Sequence, residues 1–242
     1  MTQVRQKGLG LVELMVGITV GMIVAAGASM VAVNQINEHR RLMLETQIQQ
    51  DLRAAADLIE QDLRRAGYRG AAEQSVWAPP AAVGTQSELA AATATANNFV
   101  EMVRTDATSV RSFTYLSSRA IPPTGEPVPG DHFGIRWNRD PLKNTLEIQI
   151  GQLANGGGNW QPITDPESIK IIDFDINVES KPAEMPDFCE KACTAGTNCP
   201  KYEVRRVSYT ITAEARHDPS VRRTLTNTGR MRAEAITGAC PA

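Results

Sequence analysis

Lys7-Gly8-Leu9-Gly10-Leu11-Val12-Glu13-Leu14-Met15 begins an apolar run that continues to Val33. The run has 25 residues from Leu9 to Val33, and Glu13 is its only charged residue. A membrane-spanning helix needs about 20 apolar residues, so this run is long enough to cross a bilayer. An ionisable group inside such a segment is costly, and its presence therefore predicts a function for Glu13.

Two simpler interpretations of the same segment compete with a functional Glu13. The first is a secretory signal peptide, with Arg5 and Lys7 before the apolar core and Ala26-Gly27-Ala28 as a cleavage site. The second is a plain single-span anchor. The cost of inserting Glu13 counts against both, because neither gains anything from a carboxylate. The helical pattern also continues beyond Val33, where a secretory signal would give way to the mature domain.

Residues 34–66 contain neither proline nor glycine. Their apolar residues recur every three or four positions, as on one face of a helix: Ile48, Leu52, Ala55, Ile59, Leu63 and Ala66. Gly67 and Gly70 provide a stop signal. The pattern predicts one helix from Leu9 to Ala66, whose second half needs a globular domain to cover its apolar face.

Alternating segments beyond residue 71 predict strands of an antiparallel sheet. Each has an apolar set of alternate residues: Phe133, Ile135, Trp137; Leu146, Ile148, Ile150; Ile172, Phe174, Ile176, Val178; and Val207, Tyr209, Ile211, Ala213, Ala215. Phe99–Val103 and Arg111–Leu116 are weaker strand candidates, and 138–144 and 217–220 are predicted hairpin turns. The predicted fold class is α+β, with the long helix packed on a C-terminal antiparallel β-sheet domain.

The four cysteines, Cys189, Cys193, Cys199 and Cys240, all follow the apolar segment. An even number of cysteines beyond a membrane anchor predicts two disulfides in an oxidising compartment. Three pairings are open, and we favour one in which Cys240 ties the C-terminus to the 189–199 loop. A zinc site with four cysteine ligands is the alternative, but the spacing fits usual zinc motifs poorly.

No catalytic motif is evident, and we expect neither an enzyme nor a bound cofactor or metal. His39, His132 and His217 are isolated, and the glycine loop 155–159 has no following helix to bind phosphate. Acidic residues in the cysteine loop could bind calcium, but they fit no defined calcium motif: Glu184, Asp187 and Glu190. The net charge of −2 argues against a nucleic-acid partner, despite the arginine pairs at 205–206 and 222–223.

The basic leader that ends in Gly8, the glutamate five residues later and the long N-terminal helix carry a family resemblance. Together they resemble the class III signal of type IV pilins and type II secretion pseudopilins. The segment Asp62-Leu63-Arg64-Arg65-Ala66-Gly67-Tyr68-Arg69-Gly70 resembles the PilW family of minor pilins in particular. Leu9 departs from the usual phenylalanine or methionine, and the helix lacks the proline that kinks major pilins.

This resemblance implies cleavage between Gly8 and Leu9 by a prepilin peptidase, and N-methylation of Leu9. It also implies that Glu13 pairs with the N-terminal amine of a neighbouring subunit. The chain would then comprise a leader (1–8), a transmembrane half-helix (9–33), an amphipathic half-helix (34–70) and a periplasmic β-rich domain (71–242) that packs on 34–66. The implied location is the inner membrane, with one pass, and then the pilus.

Three functional hypotheses follow. The first is a minor pilin that primes or caps a type IV pilus and contacts other minor pilins, the major pilin and the inner-membrane assembly platform. The second is a minor pseudopilin of a type II secretion system. The third is a monomeric membrane-anchored periplasmic binding protein in which Glu13 has no role.

Overall fold

A computed structural model describes residues 10–70, 99, 101–118, 127–185, 187, 192–193, 199–231 and 235–237. The described residues include one long helix, nine strands and a 3₁₀ turn at Pro129–Asp131. The chain divides into two compact units, Met1–Thr46 and Gln47–Ala242. An N-terminal apolar helix and antiparallel sheets confirm the predicted α+β fold class.

The helix α1 spans Leu11–Leu63. Its first hydrogen bond joins Leu14 N to the Gly10 carbonyl at 3.1 Å. The helix ends before the predicted Ala66 because the chain tightens into three-residue bonds, from Arg65 N to Asp62 O (3.2 Å) and from Ala66 N to Leu63 O (3.1 Å). The predicted start at Leu9 lies outside the described residues.

Five strands form a first sheet, sheet A, in the order β1-β2-β3-β4-β5, and all neighbours are antiparallel. They are β1 (Met102–Ala107), β2 (Val110–Leu116), β3 (His132–Asn138), β4 (Thr145–Gln152) and β5 (Gly158–Pro162). Consecutive strands are neighbours, so sheet A is a meander. The turn predicted at 138–144 joins β3 to β4, where Leu142 N donates to Asp140 Oδ1 at 3.0 Å.

Four strands form a second antiparallel sheet, sheet B, with β6-β7-β8 in order and β9 also paired with β7. They are β6 (Ile169–Glu184), β7 (Lys201–Ala215), β8 (Arg222–Arg230) and β9 (Ala235–Thr237). The turn predicted at 217–220 joins β7 to β8. The division of the strands into two sheets was not predicted, because alternation within a strand does not reveal its neighbours.

The helix face predicted from the sequence is the face that is buried. Each of its six residues is 1% exposed or less: Ile48, Leu52, Ala55, Ile59, Leu63 and Ala66. Burying an isoleucine or leucine side chain contributes about 1.5–3 kcal/mol. Both sheets also bond this part of α1, since Tyr209 of sheet B donates to Ala56 O and Tyr115 of sheet A to Asp62 O, each at 2.9 Å.

The two sheets are joined by arginines of sheet A. Arg111 donates to the Phe174 carbonyl on β6 at 2.7 Å, and Arg104 pairs with Asp175 at 2.9 Å. Arg111 is also 3.1 Å from Asp106, and this contact lowers the pKa of Asp106. The Arg111 bond satisfies one backbone carbonyl of β6, and both contacts hold β6 against sheet A.

The alternation predicted for β4 is wrong at both its polar and its apolar positions. Leu146 is buried, as expected, but Ile150 is 50% exposed. Glu147 and Gln149, predicted to face water, are each only 5% exposed. The reason is that side chains of the neighbouring strands cover this outer face of sheet A.

The alternation predicted for β6 is wrong at its start. A β-bulge shifts the register between Ile171 and Asp173. Ile169 and Ile171 are buried before it and Phe174 and Ile176 after it, while Ile172 is only half-buried. A bulge inserts one residue and thereby moves all earlier side chains to the opposite parity.

Candidate functional site

The N-terminal part of α1 exposes an apolar surface along its whole length. Within the unit Met1–Thr46, residues 10–43 are all exposed. They include Leu11 at 76%, Ile23 at 72% and Met30 at 71% exposure. The helix contains an 18-residue window of mean hydropathy 2.1, long and apolar enough to cross a membrane. An apolar surface of this extent requires lipid or other apolar helices to cover it.

The hydroxyl groups of Thr19 and Ser29, inside the apolar segment, are satisfied within the helix itself. Thr19 Oγ1 donates to the carbonyls of Met15 and Val16 at 3.1 and 2.9 Å. Ser29 Oγ donates to Ala25 O at 2.8 Å. Such bonds to the preceding turn leave no hydroxyl that needs water, as a lipid environment demands.

Glycines give the same segment room for close helix contacts. A Cβ atom added at Gly10, Gly17, Gly21 or Gly27 would meet nothing within 4 Å. Gly17 and Gly21 lie four residues apart, so they share one face. Backbones can approach closely at such faces, where van der Waals packing drives association in lipid.

Glu13 lies in the first turn of α1 and is exposed. The free backbone N–H groups and the helix dipole favour a carboxylate at this end. No ion pair to Glu13 forms among the described residues. Gly8 and Leu9, the predicted processing residues, lie outside the part of the chain that the structure describes.

The segment that ends the helix forms a buried ionic contact with sheet A. Asp62 is 5% exposed, and its carboxylate accepts a hydrogen bond from the Tyr115 hydroxyl and pairs with Arg65. The Arg65 guanidinium stacks on the ring of Phe133, 3.8 Å from its centroid. Burial, followed by the nearby Asp62 carboxylate, raises the pKa of Tyr115. The tyrosine is therefore a neutral donor to a charged acceptor.

Gly67 supplies the backbone conformation that turns the chain from α1 to sheet A. Its φ of 74° is in the left-handed region that side chains disfavour. Its N–H donates to Leu116 O at 2.7 Å, and Ser118 N donates to Tyr68 O at 2.7 Å. The Asp62–Gly70 motif is thus a helix ending bonded to strand β2.

Two of the four cysteines are joined, as Cys193 and Cys199 form a disulfide with a Cα–Cα distance of 5.8 Å. Cys189 and Cys240 lie outside the described residues. The observed bond excludes two of the three pairings considered from the sequence. It also removes two thiolates from the four-cysteine zinc alternative.

The histidines lie on different elements, with His39 exposed on α1, His132 at the start of β3 and His217 in the β7–β8 turn. Across the described ranges, no group of three or more His, Cys, Asp or Glu side chains could hold a metal ion. Glu184 ends β6 and Asp187 is exposed, while Glu190 lies outside the described residues. The glycine loop joins β4 to β5, where Gly157 N donates to Asn155 Oδ1 at 3.0 Å.

Sequence reasoning missed a buried polar cluster on the outer face of sheet A. Arg136 Nε donates to Glu147 Oε2 at 2.5 Å, and Asn138 Nδ2 donates to Glu147 Oε1 at 2.9 Å. Arg136 also lies 4.4 Å from the ring centroid of Trp160. The cluster is internally paired, which identifies it as a structural network. Only the register of β3 against β4, which places Arg136 opposite Glu147, could have indicated it.

Comparison with known proteins identifies two family models that match the chain. The model described as "Prepilin peptidase-dependent protein B" matches residues 41–231. The model described as "Prokaryotic N-terminal methylation motif" matches residues 4–29, which include Gly8, Leu9 and Glu13. Neither a curated protein nor a solved structure gives a significant match.

Proposed function

Because the chain belongs to the prepilin peptidase-dependent protein B family, we propose that it is a minor pilin, a structural subunit that primes or caps a type IV pilus. The family and the N-terminal methylation motif make it a pilin-like protein that depends on prepilin peptidase. The specific PilW resemblance and a contribution to twitching motility belong to this proposal. So do the partners: other minor pilins, the major pilin and the inner-membrane assembly platform.

The exposed apolar segment with a single carboxylate carries the proposal. Cleavage between Gly8 and Leu9 would create an amine four residues before Glu13, about 6 Å along the helix axis. Each charge is costly in lipid without a partner. If the Leu9 amine of one subunit pairs with Glu13 of the next, both costs are relieved and the subunits acquire a fixed stagger. N-methylation of Leu9 would leave that amine cationic.

The globular unit Gln47–Ala242 supports a structural role. Its buried polar side chains, such as Asp62 and Glu147, are paired with arginines inside the fold. We therefore propose that the protein is not an enzyme and that its globular unit is recognised by neighbouring subunits. The Cys193–Cys199 disulfide favours an oxidising compartment, and we propose that this unit lies in the periplasm.

A minor pseudopilin of a type II secretion system is the second candidate. The N-terminal methylation motif favours both candidates equally. The resemblance to type IV pilins and type II secretion pseudopilins implies that prepilin peptidase cleaves both kinds of subunit. Deletion of the gene separates them. Loss of surface pili with normal protein secretion supports the minor pilin, and the reverse result supports the pseudopilin.

Replacement of Glu13 by alanine tests the assembly role. Breaking a buried ion pair costs about 3–5 kcal/mol. A cost of this size lowers the association constant between subunits more than a hundredfold. We expect Glu13→Ala to abolish priming of pili while the protein accumulates and keeps its disulfide. Glu38→Ala is the matched control, because Glu38 is an exposed carboxylate on the same helix. Normal piliation with Glu13→Ala would contradict the proposal.

A further inference from the structure

The turn between β4 and β5 contains the pair Asn155-Gly156, and no other asparagine in the sequence precedes a glycine. In such a pair the glycine amide nitrogen can attack the asparagine side-chain amide, because glycine has no side chain that blocks the approach. Residues 153–157 are all exposed, so water and hydroxide reach the turn from the solvent. The turn therefore brings together the groups and the solvent that deamidation of an asparagine requires.

The backbone of the turn is unobstructed at the attacking nitrogen. Gly156 has a φ of 82°, and an added Cβ atom there would meet nothing within 4 Å. The Gly156 N–H donates to the Leu153 carbonyl at 2.9 Å. This bond lies in an exposed turn, where local opening costs little free energy. Once it opens, the nitrogen is accessible to hydroxide and lies next to the side chain of Asn155 in the sequence.

A backbone donor polarises the carbonyl that is attacked. Gly157 N donates to Asn155 Oδ1 at 3.0 Å. Attack on Asn155 Cγ places negative charge on this oxygen, and a backbone N–H at about 2.7–3.1 Å stabilises an oxyanion of this kind. The bond involves residues 155–157 alone, so it does not depend on the contact between Gly156 and Leu153. The turn thus favours both the nucleophile and the transition state.

We propose that Asn155 is a site of spontaneous deamidation in the folded protein. Gly156 N loses its proton to hydroxide and forms a bond to Asn155 Cγ. The bond from Cγ to the side-chain nitrogen then breaks, and ammonia leaves with a proton taken from water. Water opens the resulting cyclic imide at either of its carbonyls, which leaves aspartate or isoaspartate at position 155. The net reaction consumes water, releases ammonia and involves no oxidant or reductant.

The two products affect the turn differently. Aspartate retains an oxygen that accepts from Gly157 N, so it keeps the turn and adds a negative charge. Isoaspartate carries the main chain through the side-chain carbon and lengthens it by one carbon atom. The bonds from Leu153 N to Gly157 O at 2.7 Å and from Gly156 N to Leu153 O would then lose their alignment. Because β5 is the edge strand that follows the turn, the isoaspartate form should loosen this edge of sheet A. The proposal holds for a pilin and a pseudopilin alike.

Incubation of the full-length protein in neutral detergent, followed by peptide mapping with mass spectrometry, tests the proposal. The peptide that contains Asn155 should gain the mass difference between an amide and a carboxylic acid. It should separate into two forms, of which an isoaspartate-specific methyltransferase labels one. The rate should rise with hydroxide concentration, because the attacking nitrogen must lose its proton.

Asn177 is the internal control in the same digest. It is exposed, but it precedes the branched Val178 and lies in the paired strand β6. We expect Asn155 to react at least about tenfold faster than Asn177, a difference of about 1.4 kcal/mol in activation free energy. Equal rates at the two positions, or no reaction at Asn155, would overturn the proposal. Formation of aspartate without isoaspartate would indicate direct hydrolysis and would also overturn it.

Two variants test the route through the Gly156 nitrogen. Gly156→Ala places a methyl group beside this nitrogen and should slow the reaction at least about tenfold. Circular dichroism checks its folding, since alanine is strained at a φ of 82°. Asn155→Gln keeps a side-chain amide but moves it one carbon atom farther away, and it should remain unmodified. This second variant decides the matter if the first does not fold. An unchanged rate in a folded Gly156→Ala protein, or modification of the Asn155→Gln protein at the original rate, would refute attack by Gly156 N.

Discussion

The Tyr115 hydroxyl links sheet A to the end of α1, and its removal tests the contribution of one buried hydrogen bond. Tyr115 is 2% exposed and Asp62 is 5% exposed. The hydroxyl contacts the Asp62 carbonyl at 2.9 Å and also donates to the Asp62 carboxylate. Tyr115→Phe removes this donor and leaves Arg65 as a partner of the carboxylate.

The expected loss follows from the kind of bond. A hydrogen bond to a charged group contributes about 1.5–3 kcal/mol, and a buried acceptor left without a donor costs a similar amount. Because Arg65 still pairs with Asp62, we expect Tyr115→Phe to lower the free energy of unfolding by about 2 kcal/mol. For a unit of the size of Gln47–Ala242, each kcal/mol shifts Tm by about 2–4 °C. The variant should therefore melt about 4–8 °C lower.

Thermal unfolding of the full-length protein in detergent, followed by circular dichroism at the sheet signal, measures this shift. Tyr68→Phe is the matched control, since Tyr68 belongs to the same helix-ending segment and is 55% exposed. It should change Tm by less than about 1 °C. A Tyr115→Phe shift as small as that of the control would refute the buried contact as a source of stability.

Three further predictions concern single sites. Gly67→Ala, at a φ of 74°, should lower the free energy of unfolding by about 1–2 kcal/mol in urea titrations, while Gly130→Ala, where an added Cβ meets nothing within 4 Å, should leave it unchanged. Burial raises the pKa of Tyr209 from 10.0 to about 12. The protonated hydroxyl therefore makes its full contribution to the free energy of unfolding below pH 10, and this contribution is lost as the pH rises towards 12. Urea titrations across this range should show a smaller loss for Tyr209→Phe, and an equal loss would contradict the assignment. Peptide mapping without reductant should find Cys189 bonded to Cys240, and free thiols at both positions would disprove the second disulfide.

The sequence predicts those parts of the fold that depend on local periodicity. The buried face of α1 from Ile48 to Ala66 follows from three- and four-residue spacing, because a helix exposes one face to its partner. The alternation of β7 likewise predicts the residues on its apolar face that are buried, and that of β3 predicts Ile135 and Trp137, whereas Phe133 is only half-buried. Both patterns result from the geometry of a single element, so one sequence is sufficient to find them.

Features that depend on contacts between elements escape such reasoning. The bulge near Ile171 changes which residues face the core, and no local signal marks it. The alternation in β4 predicts that Glu147 is exposed. It is buried because Arg136 and Trp160, from two other strands, cover it. The helix-ending motif is recognisable in the sequence, but its bonds to Tyr115 and Phe133 appear only in the folded chain.

The N-terminal methylation motif is recognisable from the sequence because its features are local. These features lie next to one another in the sequence: a leader that ends in Gly8, a single carboxylate at Glu13 and an apolar run long enough to span a membrane. The order of the strands in the two sheets is not predictable in this way, since it depends on which strands pair with each other.

Mass spectrometry of the mature N-terminus tests the central claim most directly. The protein should be isolated after expression with a prepilin peptidase and digested to release its first peptide. We expect this peptide to begin at N-methylated Leu9, because the peptidase cleaves after Gly8. A mature protein that begins at Ser29, after the Ala26-Gly27-Ala28 site, would identify a secretory signal and contradict the claim. An N-terminus that retains residues 1–8 in the presence of the active peptidase would contradict it equally.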